Sequence, residues 1–156
     1  MKKLCCPLTV ILAIAIAGLL YIFMIKGETV AGNQNDPRTA IVMTAGERAM
    51  VLEEMRTLLT SVQTITLALT SNDMDGVATA ARKVGLAAQG EMPPGLVKKL
   101  PMAFKKLGFG THQAFDQLAL DAESFGDKEQ TLEALGKLMS NCVGCHAAFQ
   151  IKTAEE

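Results

Sequence analysis

Tryptophan is absent from the chain, tyrosine occurs once, and aromatic residues make up only 4 % of the sequence. Proteins that grip bases need aromatic faces for stacking beside an excess of cations. With a formal net charge of −1 this chain has neither, so a nucleic-acid partner is excluded as a reading. β-Branched residues are thin beyond the N-terminal segment, and no stretch alternates convincingly between apolar and polar residues. A sheet is therefore not expected. Histidine is scarce, with His112 and His146 the only two. No nucleophile–base pair and no paired carboxylates stand out, so the expectation is a protein that is not an enzyme. What is plentiful is Ala, Leu, Met, Lys and Glu, the residues that cost least in a helix. The 156 residues suffice for one domain of ordinary size once an N-terminal segment is set aside.

That segment is an uncharged run from Leu4 to Ile25 behind Met1-Lys2-Lys3. A helix needs ~20 apolar residues to cross a membrane, whereas the apolar core of a cleaved signal is about 7–15 long. Residues 1–26 therefore read as a transmembrane anchor. Two lysines before the run against Lys26 after it put the N-terminus in the cytoplasm. The rest would face the periplasm from the inner membrane. Thr29-Val30-Ala31 also offers a small-residue cleavage site, which would release a secreted periplasmic form. Cys5 and Cys6 read as small apolar residues of the membrane helix. Lys2, Lys3 and Lys26 account for three of the 15 Lys and Arg, leaving 12 cations against 16 acids beyond the run. The remainder is mildly acidic.

Residues 27–43, polar and rich in Gly, Asn and Pro up to Arg38, read as a linker. A domain over 44–156 follows, with four helices expected. Thr44 and Glu47 have capping-box spacing, and Leu52, Met55, Leu59, Val62, Thr66 and Leu69 then recur at helical intervals as a core stripe. Ser71-Asn72-Asp73 ends that helix and caps a second, which runs to about Gln89 with Val77, Ala80, Ala81, Val84 and Ala88 inward. Pro93 and Pro94 break the pattern. A third helix starts near Pro101 and reaches Phe125-Gly126, with a bend where Gly108 and Gly110 weaken it. A fourth starts at Asp127, with Gln130 completing a second capping box, and carries Leu135, Leu138, Cys142, Cys145 and Phe149 on one face. The fold class is thus all-α, an antiparallel up-and-down four-helix bundle behind one N-terminal membrane helix.

The chemistry is concentrated in Cys142-Val143-Gly144-Cys145-His146. This C-x-x-C-H pattern is the attachment site of a c-type haem. The two thiols add across the two vinyl groups of the porphyrin, giving thioethers, and the adjoining imidazole binds iron. On a helix the three side chains share one face. Competing uses fit less well. A thioredoxin-like redox pair needs a βαβ setting, and a structural zinc site needs four ligands, usually as two separated pairs. One covalent haem c with its iron is therefore the expected cofactor. The opposite side of the iron is open to more than one reading. A methionine there gives a low-spin, electron-transfer centre, and a vacant position gives one open to small gases. Met55 lies on the first helix's stripe, whereas Met50 lies off it and Met43 precedes the cap. His112 is a further candidate, with a surface or hydrogen-bonding role as its plainer use.

On these residues the chain resembles the class II cytochromes c, the cytochrome c′ and cytochrome c-556 group, over about Thr44 to Gln150. The motif near the C-terminus followed by Phe149 matches the family's C-H-x-x-[FY] pattern. The resemblance implies a four-helix bundle with haem between its helices, held by Cys142 and Cys145, with His146 as proximal ligand. It also implies that the distal residue comes from mid-first helix, Met in the c-556 type and an apolar blocker in the c′ type; Met55 falls near that position. Where the family often has an arginine, four residues earlier, Val51 stands. Arg48 lies seven residues before Met55 on the same face, within reach of a haem propionate. Gln150 replaces the usual basic residue after Phe149. The implied function is a membrane-anchored periplasmic electron carrier, the alternative a five-coordinate binder of nitric oxide or carbon monoxide. Redox proteins would be its partners, and two copies would pair through their first two helices. Lys98, Lys99, Lys105 and Lys106 form a basic patch that could dock an acidic partner or simply be a solvated helix end.

Overall fold

A computed structural model describes residues 2–154. Helix α1 (Lys2–Leu20) continues through a π-helical turn at Tyr21–Lys26. Its segment Pro7–Lys26 has a mean hydropathy of 2.8 and, among the described residues, none buried inside the protein, so it is long and apolar enough to be a membrane anchor or a signal sequence. The side chains of Lys2, Lys3, Cys5 and Cys6, which bear on orientation and on the use of the first cysteine pair, lie outside the described residues.

Strands β1 (Thr29–Val30) and β2 (Thr39–Met43) follow, then helices α2 (Ala45–Thr70) and α3 (Met74–Arg82). A 3-10 turn at Leu86–Glu91 and the short helix α4 (Pro94–Lys99) lead to α5 (Met102–Phe125), α6 (Lys128–Ala148) and β3 (Phe149–Thr153). α2 packs on α3, α3 on α5, α5 on α6, and α6 returns to α2. The chain is mostly helical, yet the all-α expectation needs correction. β1 pairs antiparallel with β2, and β2 pairs parallel with β3 in the register Thr39 with Phe149 through Met43 with Thr153. Residues read as linker thus hold two strands, and the tail behind the C-x-x-C-H motif supplies the third. A parallel pair needs a long crossover, and here the whole helical bundle is that crossover.

The caps explain most helix boundaries. Thr44 Oγ1 accepts from the Glu47 N–H at 3.2 Å while Glu47 Oε2 accepts from the Thr44 N–H at 2.8 Å, a complete capping box. Asp73 accepts from the Gly76 N–H, and Asp127 from the Gln130 N–H. The second box is half formed, because Gln130 caps nothing in return. α5 runs unbroken through Gly108 and Gly110 and ends on Gly126 at φ 62°. α3 stops at Arg82, well short of Gln89. Gly85 lets the chain turn where a Cβ would collide with the Asp116 carboxylate, and Asp116 Oδ2 accepts from the Leu86 N–H at 2.9 Å.

Two apolar clusters result. The larger joins Ile65, Leu69, Val77, Ala81, Phe115, Leu118, Leu135 and Leu138, with alanines letting α3 approach closely. The smaller joins Ile41, Met43, Val51, Leu96, Leu100 and Phe104, with Met55, Cys145 and Phe149 packed against it.

Candidate functional site

Between these clusters the helices enclose a cavity of about 630 Å³, a size typical of small-molecule and cofactor sites. Its walls come from the middle of α2, the first half of α5, α4 and the last turns of α6. The α2 stripe expected to pack into the core instead divides. Leu52, Met55, Leu59 and Val62 line the cavity, Leu59 remaining 68 % exposed. Val51, Ser61, Ile65, Ala68 and Leu69 form the buried side, and Thr66 faces solvent.

Cys142, Cys145 and His146 all line this cavity from α6. Their spacing places them on one wall, as a helix requires. Both cysteines are free thiols and half-buried. Burial pushes each thiol's pKa up, and the proximity of Cys142 adds to the rise at Cys145, so both are held neutral. Phe149, just past the motif, stacks edge-on against Phe104 with ring centroids 5.6 Å apart. This contact ties the end of α6 to α5.

Met55 lines the cavity from α2, the helix next to α6 in the ring. Two further methionines that the sequence did not single out also line it: Met92 from the segment before α4, and Met139 from α6 itself. Their signal is weak because the chain has nine methionines and they often serve as gap-fillers.

His112 is buried, not on the surface. Its Nδ1 lies 2.8 Å from the Val84 carbonyl oxygen and its Nε2 3.2 Å from Glu54 Oε1. Burial alone would lower its pKa, but the hydrogen bonds to Glu54 and Val84 and the carboxylate's charge raise it above the usual value. Both ring nitrogens are therefore engaged, and His112 has the hydrogen-bonding role.

A second cavity of about 290 Å³ shares Leu52, Met55, Phe104, Cys145 and His146 with the first and adds two guanidinium groups, Arg38 and Arg48. Arg48 was legible from its place on the Met55 face. Arg38 was not, because the β2–β3 pairing brings it there. Its Nη1 donates to the carbonyls of His146 and Phe149 at 3.2 and 3.4 Å, and Asp36 holds its Nε and Nη2.

Among the described residues, no group of three or more His, Cys, Asp and Glu is placed to hold a metal ion. A haem asks less of the protein, since the macrocycle supplies most of the iron's ligands. The residues present fit such a group. One wall carries two neutral thiols and an imidazole, the lining is largely apolar, and Arg38 and Arg48 line the adjoining cavity. No family model, no curated protein and no solved structure matches the chain.

Proposed function

We propose that this chain is a monohaem c-type cytochrome of the class II kind, an electron carrier rather than a catalyst. It is anchored in the inner membrane by its N-terminal helix and exchanges electrons with redox proteins on the periplasmic side. The observation that carries this reading is the convergence of Cys142, Cys145 and His146 on one apolar cavity that Met55 lines from another helix. Cys142 and Cys145 would hold the haem as thioethers, and His146 would be the proximal ligand. Haem iron supplies a reversible one-electron couple when bound, and methionine opposite histidine raises its potential.

Met139 shares a helix with His146, so it is poorly placed to act from the opposite side. Met55, on α2, is the better candidate for that position, with Met92 as the control. Arg48, which makes no ion pair among the described residues, would be the cation available to a propionate, Arg38 being already paired with Asp36.

Denaturing electrophoresis with a haem stain, followed by optical and EPR spectra of the purified protein, tests the proposal. The expected result is covalently bound haem with a low-spin spectrum. Met55→Ala converts the spectrum to high spin, whereas Met92→Ala leaves it unchanged. A high-spin spectrum in the unaltered protein would overturn the carrier reading and favour a binder of nitric oxide or carbon monoxide. A gel without haem would overturn both.

A further inference from the structure

The apolar N-terminal helix does not lead into a free tether. Gly27, the residue after Lys26, has φ 64°, and a Cβ there would come within 2.3 Å of the Lys99 carbonyl oxygen. Glycine alone tolerates both demands. The Glu28 N–H donates to that same oxygen at 2.7 Å, and the Glu28 carboxylate lies 3.8 Å from the Lys99 ammonium. Lys105 Nζ donates to the Met24 carbonyl at 3.4 Å. The end of the apolar span is thus fixed to the corner where α4 meets α5. Wherever the helix leaves a bilayer, that corner is at the exit.

The corner is also basic. Lys99 is engaged by Glu47 and Glu28, but Lys98, Lys105 and Lys106 make no ion pair among the described residues. Val97 and Phe109, 37 % and 50 % exposed, lie on the same two helices and line the large cavity. Cations at a membrane exit strengthen contact with anionic headgroups, about fivefold for each lysine near the surface. The effect decays within about one Debye length. Lysines on a flexible tether would spend most of their time beyond that range, whereas these belong to a corner fixed to the helix end.

We infer that the α4–α5 corner rests on the anionic headgroup layer of the same bilayer that holds the N-terminal helix, with Lys98, Lys105 and Lys106 against lipid phosphates. The inference rests on the anchor reading above and not on the haem. It sets the α4–α5 wall of the cavity beside the membrane rather than in open water.

Lysine acylation read by peptide mass spectrometry tests it on the full-length protein. Three preparations are compared: detergent, lipid discs of phosphatidylcholine, and discs that also contain phosphatidylglycerol. In the anionic discs, labelling at Lys98 and Lys106 should fall about fivefold, while Lys83, Lys128, Lys137 and Lys152 react as in detergent. In phosphatidylcholine discs the labelling should return. Lys98→Glu combined with Lys106→Glu should restore labelling at Lys105 in the anionic discs. Equal labelling of corner and control lysines in anionic discs that retain the protein would overturn the inference and leave the anchor standing. Protection indifferent to lipid charge would overturn it too. Extraction of the protein from native membranes by alkaline carbonate would instead remove the anchor, and the inference with it.

Discussion

The two halves of the helical bundle share α2, α5 and α6 but solve different problems. In one half, α3 fills the space between α2 and α5, and its alanines bring them close enough for Ile65, Leu118 and Leu138 to exclude water almost completely. In the other half α3 has ended. The 3-10 turn and α4 take its place further out, and Leu52, Met55, Leu59 and Val62 look into a cavity. Apolar area turned toward a cavity contributes stability only when something apolar covers it. One half is therefore complete as a protein core. The other leaves a largely apolar cavity with Cys142, Cys145 and His146 on its α6 wall.

Two substitutions on α2 break this comparison most severely. Ile65 is fully buried in the closed half, and Ile65→Ala should cost about 2–5 kcal/mol, the range for truncating an aliphatic side chain in a sealed core. Leu59, 68 % exposed at the cavity, should cost within about 0.5 kcal/mol when truncated in a haem-free Cys142→Ser, Cys145→Ser background. In the haem-loaded protein the cost of Leu59→Ala should rise toward that of a core residue. Urea denaturation of both variants in both backgrounds checks this. An identical Leu59 cost with and without the attachment cysteines would show that the cavity half is not completed by a bound group.

The sequence carried the helices and their caps plainly, because a capping box and a run of three- and four-residue spacings are local signals. The C-x-x-C-H spacing, a local pattern too, was equally plain. Less legible was which side of α2 is core and which is cavity. Leu59 and Ile65 are both apolar and occur on one helix, and only the early end of α3 separates their fates. That end depends on Gly85 meeting Asp116, a contact between distant residues. The sheet was hidden for another reason. Phe149-Gln150-Ile151-Lys152-Thr153 does alternate, but it is only five residues long and continues directly from a helix. Its partner Thr39–Met43 does not alternate, with Ala40 and Ile41 both buried. Arg38 reached the site by the same non-local pairing.

That pairing gives a smaller test of the same contrast. Arg38 bridges the end of α6 to the first sheet residues through the carbonyls of His146 and Phe149, and Gln150 Nε2 donates back to the Arg38 carbonyl at 3.0 Å. Arg38→Ala should speed amide exchange along β3, notably at Ile151, and leave Leu118 and Leu138 in the closed half as protected as before. Faster exchange at Leu118 as well would mean that the sheet supports the whole bundle, not the cavity half alone.

The smallest effect belongs to the cap that starts α2 at the cavity end. The Glu47 carboxyl is held below its ordinary value of 4.5, first by the Thr44 N–H and then by the Lys99 ammonium 2.9 Å away. A carboxyl lowered on folding adds stability that is fully present above its unfolded-chain pKa and is lost as pH falls through the folded one. The loss should therefore begin as pH drops past 4.5 and continue below it. Glu47→Gln keeps a side chain able to reach the Thr44 N–H but cannot ionise, so its melting temperature should fall less steeply with acid than that of the unaltered protein. The two curves should converge at low pH, where Glu47 is itself neutral. Parallel curves across that range would assign the acid sensitivity to other carboxylates. Lys99 also holds the α4–α5 corner to Glu28, so a flatter acid response in Lys99→Met would place part of the pH dependence at the junction with the N-terminal helix.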